Sequence, residues 1–290
     1  MRPENLTTRI FLDGGDPQET KEIIDLLGFL DGQTTNPTLI AKNLGAKRRS
    51  ASGGPMTEAE VLAFYRGVVE KISEMIPKGS VSVEVYADHT TKAKTMLTQG
   101  KEMFSWVPNA HVKFPTTTQG LEAAERATAD GVRVNMTLCF TQEQAAAVYA
   151  ATRGVKRGDV FVSPFVGRID DRGENGMDLI ANVLRMYKEG DGHVEVLTAS
   201  ARHLDHFLFA LHLGSDIITA PANVLREWAA DGAPIAVADF TYDAGGLTAI
   251  PYQDTNLNKP WRDYDIRHEL TDKGIERFAN DWNQLIRHGS

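Results

Sequence analysis

One cysteine, Cys139, stands in 290 residues, so no intrachain disulfide can form and the fold must rest on burial and hydrogen bonding. Positive charge is also in deficit. Asp and Glu outnumber Lys and Arg by 39 to 31, a formal net charge of −8, which argues against broad binding to nucleic acid or to an anionic membrane. A small, local cationic pocket for a phosphorylated metabolite is still compatible with that balance. No stretch approaches the roughly 20 apolar residues that cross a bilayer, and the opening MRPENLTTRIFLDGG lacks the apolar core of a signal peptide. A soluble, cytoplasmic protein is the expectation. Neither a G-x-G-x-x-G nor a P-loop occurs, so the sequence makes no case for a nucleotide.

What is present is ordinary for a chain with a large core: 42% hydrophobic and 24% charged residues. Short apolar runs alternate with longer amphipathic segments as far as about Ala230. Strands are predicted at Arg9–Leu12, Gly32–Thr34, Val81–Val85, His111–Lys113, Val132–Thr137, Val160–Ser163, Val194–Thr198 and Asp216–Thr219. Helices follow at Pro17–Leu27, Glu58–Met75, Thr90–Gln99 and Thr118–Ala129, then at Thr141–Thr152, Met177–Tyr187, Leu204–His212 and Ala222–Ala229. Thr57 with Glu60, and Thr141 with Gln144, have the spacing of capping boxes. Parallel neighbours need helical crossovers, so eight strands alternating with eight helices predict an α/β fold, a (β/α)8 TIM barrel. The barrel is expected to occupy residues 1–230 as the catalytic domain. Residues 231–290 form a C-terminal extension, ending in an amphipathic helix over about Leu270–Ile286. That tail should pack on the barrel or on a neighbouring subunit of a homo-oligomer, since its aromatics would otherwise form an exposed apolar patch. The basic, Gly- and Ser-rich stretch Asn43–Pro55 reads as a surface insertion.

In such a barrel the functional side chains gather at the C-terminal ends of the strands. Those ends carry Asp13, Thr35 and Asn36, Glu84, Lys113, Asn135 and Thr137, Ser163 to Arg168, and Ser200 with Arg202. Lys113 lies inside the apolar strand His-Val-Lys-Phe-Pro. Apolar surroundings disfavour its charged form and make a neutral, nucleophilic amine available for attack on a ketone carbonyl. An ion pair with Glu84 or Asp13 would also account for an inward lysine. Glu84 and Asp13 are candidate acid and base groups. Thr137 can orient a water, and Asn36 and Asn135 can bind substrate hydroxyls, although Asn36 before Pro37 also suits a simple helix cap. Arg168, Arg202 and Ser200 can hold a phosphate, with surface salt bridges as the alternative for the two arginines. His203, Asp205 and His206 could suggest a metal site, but two histidines three residues apart with no third ligand are a weak signal, so a solvated helix start is the better reading. Cys139 reads as a buried structural thiol.

At these residues the chain resembles the transaldolase family, which includes the fructose 6-phosphate aldolases. The likeness is carried by Phe11-Leu12-Asp13, Asp31 through Ile40 with Thr34-Thr35-Asn36-Pro37, and Ser82-Val83-Glu84-Val85. It continues through Val112-Lys113-Phe114-Pro115, Asn135-Met136-Thr137-Leu138, Ser163-Pro164-Phe165-Val166-Gly167-Arg168-Ile169-Asp170 and Ala199-Ser200-Ala201-Arg202. The resemblance implies a transferase that moves a dihydroxyacetone unit between sugar phosphates of the pentose phosphate pathway. Lys113 would form the Schiff base, Asp13 would serve carbon–carbon cleavage, and Glu84 with Thr137 would hold the catalytic water. Asn36, Asn135 and Ser163 would bind the dihydroxyacetone unit, and Arg168 with Arg202 the distal phosphate; Thr35, Phe165 and Ser200 are taken as further substrate-binding residues. The resemblance implies no metal or organic cofactor. Aldolase members tend to carry glutamine in place of Glu84 and tyrosine in place of Phe165, so this pair favours transfer over release of free dihydroxyacetone. A non-catalytic sugar-phosphate-binding barrel is the reading of another class.

Overall fold

The computed structural model describes residues 2–43, 56–235 and 240–286. The basic stretch from residue 44 to 55 lies outside the described residues. Eight parallel strands close in chain order into one barrel: β1 Arg9–Asp13, β2 Gly32–Thr34, β3 Ser80–Glu84, β4 Ala110–Pro115, β5 Val134–Cys139, β6 Val160–Pro164, β7 Val194–Thr198 and β8 Ile217–Ala220. Each predicted strand is found within two residues of its expected ends. The helices are α1 Pro17–Leu27, α2 Pro37–Lys42, α3 Glu58–Met75, α4 Ala93–Phe104, α5 Thr118–Ala129 and α6 Gln142–Ala151. They continue with α7 Val166–Asp170, α8 Gly176–Tyr187, α9 Leu204–Leu213, α10 Ala222–Ala230 and α11 Glu269–Asn283.

Local chemistry explains where several elements begin. Asp16 accepts from the Gln18 amide ahead of Pro17, and Gly28 closes α1 in the left-handed conformation. The Thr57–Glu60 capping box forms in both directions. At Thr141 only half of it does: the Thr141 hydroxyl accepts from the Gln144 amide, while the Gln144 side chain accepts from the Phe140 amide and donates to Thr271 on α11. Helix α4 starts at Ala93 and not at Thr90, because Asp88 Oδ1 collects the amides and hydroxyls of Thr90 and Thr91 in a turn. The predicted helix from Leu270 ends at Asn283, short of Ile286. Two short helices sit directly after β2 and β6: α2, whose start the Asn36-Pro37 pair allowed for, and α7, unmatched by a sequence expectation.

Beyond α10 the chain returns across the C-terminal rim. Gln253 exchanges two hydrogen bonds with Gln142, and the Ile250 amide donates to Asp178. Helix α11 packs against α2 and β5, burying Phe278 and Trp282. Among the described residues no helix is long and apolar enough to cross a membrane.

Candidate active site

Strand register fixes the heart of the site. Glu84 on β3 is level with Lys113 on β4, and Lys113 is level with Asn135 on β5. Residues at one level of adjacent strands put their side chains on the same face, so the three converge inside the barrel. Lys113 Nζ lies 2.9 Å from Glu84 Oε2, both side chains 4% exposed, and donates to the Thr35 carbonyl at 3.1 Å. The Glu84 contact is an ion pair without good hydrogen-bond direction, leaving that oxygen short of a partner. Burial lifts the Glu84 carboxyl above its ordinary range, and the Lys113 charge only partly offsets this.

Asp13, at the end of β1, accepts from the Thr34 hydroxyl at 2.8 Å. Its carboxyl is likewise raised by burial, with Lys113, Thr34 and then Lys42 pulling the other way. Two carboxyls thus lean toward holding a proton beside one amine, an arrangement suited to passing protons during carbonyl chemistry. The Ser163 hydroxyl donates to Asn135 Oδ1 at 2.6 Å, and Asn135 Nδ2 donates to Ser82 at 3.1 Å. Thr137 Oγ1 is buried without a protein partner, so its hydrogen-bonding capacity is not used by the protein itself.

A cavity of about 320 Å³ opens above these groups, lined by Asp13, Asn36, Lys113, Ser163, Phe165, Arg168, Ser200 and Arg202 among others. Asn36 is both a helix cap and a residue of the cavity wall. Its Oδ1 caps α2 by accepting from the Leu39 amide, and its side chain faces the cavity. Thr35 departs from expectation: its hydroxyl is turned outward to Tyr65 at 2.5 Å and to the Ser82 carbonyl at 2.7 Å. Strand alternation sends Thr34 inward in its place, where it touches Asp13 and lines the cavity. Glu84, Asn135 and Thr137 do not line this cavity.

The two arginines differ. Arg168 lies 5.5 Å from the ring centroids of both Phe165 and Phe278, and burial, then Arg277, lower its hold on its proton. Arg202 is gripped bidentately by Asp171, so the salt-bridge alternative holds for it although it also lines the cavity. Ser200 adopts a left-handed backbone (φ 59°), a conformation a non-glycine residue holds at some cost, and its carbonyl accepts from Gly167. Sequence reasoning missed Lys42 on α2 and Arg277 with Phe278 on α11. The helical spacing of Phe278, Trp282 and Ile286 marked Phe278 as apolar, but nothing in the sequence said which rim the adjacent Arg277 would reach. Five cations and one carboxylate line the cavity among the described residues, a balance that favours an anionic ligand.

A family profile described as Transaldolase/Fructose-6-phosphate aldolase matches residues 10–289. The chain belongs to that family. It is 35% identical over 277 residues to a probable transaldolase of Dehalococcoides mccartyi, an alignment covering 96% of this chain and 99% of that one. A probable transaldolase of Caulobacter sp. is 35% identical over 276 residues, covering 94% and 96%. One from Thermus thermophilus is 34% identical over 276, covering 95% and 98%. Family membership accounts for the fold and for an enzyme's site at the C-terminal rim.

Proposed function

We propose that this family member is a transaldolase acting on small sugar phosphates through a Schiff base on Lys113. The observation that carries the reading is the buried pairing of Lys113 with Glu84 beside Asp13, under a cavity rich in cations. The Lys113 amine attacks the ketone carbon of a ketose phosphate. Protons delivered through the Glu84–Thr137 side let the carbinolamine lose water and become an iminium. Asp13 then removes the proton of the C4 hydroxyl, the C3–C4 bond breaks, and the aldose phosphate leaves. The bonding electrons stay as an enamine on Lys113. An acceptor aldose phosphate takes up that carbon nucleophile, its new alkoxide recovers the proton from Asp13, and water releases the product ketose.

Sedoheptulose 7-phosphate or fructose 6-phosphate as donor, and glyceraldehyde 3-phosphate or erythrose 4-phosphate as acceptor, suit a cavity with hydroxyl-binding groups at its base and arginines near its mouth. Residues 1–230 act as the catalytic barrel and 231–290 as an extension that completes its rim. The enzyme works in the cytoplasm, in the pentose phosphate pathway, and has no use for nucleic acid or membrane. The net charge of −8 supports that last point.

Borohydride reduction in the presence of fructose 6-phosphate, followed by mass spectrometry, tests the chemistry. A dihydroxyacetone-sized adduct should appear on Lys113 and vanish in Lys113→Ala. An equal yield on another lysine, or none in the parent enzyme, would remove the Schiff-base reading and leave a sugar-phosphate-binding barrel.

A further inference from the structure

We propose that Asp170, His203 and His206 form a site for a borderline divalent transition-metal ion such as Zn2+, next to the phosphate-facing arginines and apart from the catalytic lysine. Sequence spacing alone gave two histidines and no third ligand. The fold supplies the third by bringing the end of α7 against the start of α9. One ligating atom from each residue lies within 4.8 Å of those of the other two, close enough for a modest rearrangement to gather them around one ion.

His206 is 1% exposed, and its Nε2 has no hydrogen-bond partner. Asp170 Oδ2 is only 2.8 Å from that nitrogen but off the direction a hydrogen bond requires. An ion between them would take a lone pair from each, with the two atoms moving apart to the roughly 3.3 Å that tetrahedral bonds of about 2.0–2.1 Å impose. The other Asp170 oxygen accepts from the Gly176 amide at 2.9 Å, which fixes the carboxylate. His203 stands at the N-cap of α9 yet makes no capping hydrogen bond. Its ring lies 3.6 Å from that of His206, centroid to centroid, and it is exposed, so it can turn onto an ion. Asp205 in the first turn of α9 offsets the positive end of that helix. Coordination through Nε2 puts the imidazole proton on Nδ1, at the cost of a long 3.4 Å contact from the Arg202 amide. Two imidazoles and one carboxylate suit zinc and its neighbours over Mg2+ or Ca2+, which prefer oxygen. The open fourth position is left to water.

Such an ion would tie the segment carrying Arg168 to the one carrying Arg202. The test uses the full chain without a histidine tag, stripped by chelator and titrated with Zn2+ and with Co2+. One equivalent should bind at about micromolar affinity or tighter, raise Tm as binding to the native state requires, and give Co2+ a visible absorption band. His203→Ala, an exposed change that removes no cap, should weaken binding by roughly tenfold or more and shrink the Tm rise and the band at one equivalent of metal. Mg2+ should do none of this. Absence of stoichiometric Zn2+ binding, or unchanged binding in His203→Ala, would overturn the site whatever the enzyme's activity.

Discussion

Glu84 Oε2 faces Lys113 Nζ at 2.9 Å across the β3–β4 register, both shut away from solvent. The pair separates two roles that one substitution can confuse. Glu84→Ala leaves a buried ammonium without its partner and should cost about 3–5 kcal/mol of stability, visible as a lowered Tm. Glu84→Gln keeps the shape and a hydrogen-bond acceptor but cannot take a proton. It should fold close to normally while slowing Schiff-base formation by about 10²–10⁴. Single-turnover borohydride trapping reads that rate directly, and a rate equal to the parent's would show that Glu84 serves only to balance charge.

Asp13 provides a pH test with a definite sign. Burial raises its carboxyl above the ordinary 3.8 in the folded chain, so the native state binds that proton more tightly than the unfolded state does. Stability therefore falls as pH rises from the unfolded value through the raised folded value, and the loss persists above it. Asp13→Asn removes this loss, and Glu84 still neutralises Lys113. The variant should melt higher than the parent at neutral pH, with the gap closing toward about pH 4, and be inactive in transfer. Calorimetry across that range checks it; a gap that widens toward acid would mean that Asp13 is stabilised as a carboxylate.

Most of this site was legible because barrel geometry turns a one-dimensional pattern into a ring. Apolar strands ending in Asp13, Glu84, Lys113, Asn135 and Ser163 could converge only at one rim, and they do. Two kinds of residue escaped. Thr35 was assigned inward because β2 is three residues long and shows too little alternation to tell Thr34 from Thr35. Arg277 escaped because its place depends on α11 docking against α2, a long-range contact that no local periodicity encodes. The third partner of His203 and His206 was hidden for the same reason, Asp170 lying on a different βα unit.

The cationic mouth makes the arginines unequal. Arg168 and Arg277 face the cavity together and repel each other, and a phosphate between them would relieve that repulsion. Arg202 must first leave Asp171. Losing Arg168 or Arg277 to methionine should cost about 1.5–3 kcal/mol of phosphate binding, seen as a raised KM for fructose 6-phosphate with kcat little changed. Arg202→Met should cost less, and Asp171→Asn should lower KM by freeing the guanidinium. Steady-state kinetics on fructose 6-phosphate beside unphosphorylated fructose decides the matter. If all three arginine variants weaken both sugars alike, the cluster is not a phosphate site.

On the proposed Schiff-base mechanism, Phe165 is expected to set what becomes of the enamine. Its ring lies at the start of α7, 8% exposed, lining the same cavity as Lys113 and stacked beneath Arg168. A phenyl group supplies no proton, and packed edge-on against Phe140 it helps to keep water from the wall. On the proposed mechanism the enamine on Lys113 then persists until an aldehyde arrives, because the proton that Asp13 took from the C4 hydroxyl is kept for the new alkoxide and Phe165 has none to give to carbon. Phe165→Tyr adds one hydroxyl to that wall with little change in volume, and the phenol can donate to the enamine carbon or position a water that does. Release of free dihydroxyacetone should rise relative to transfer, measured as the ratio of the two products from fructose 6-phosphate with and without erythrose 4-phosphate. Should the parent already release dihydroxyacetone as fast as it transfers it, the absence of a hydroxyl at Phe165 is not what protects the intermediate, and the enzyme is an aldolase.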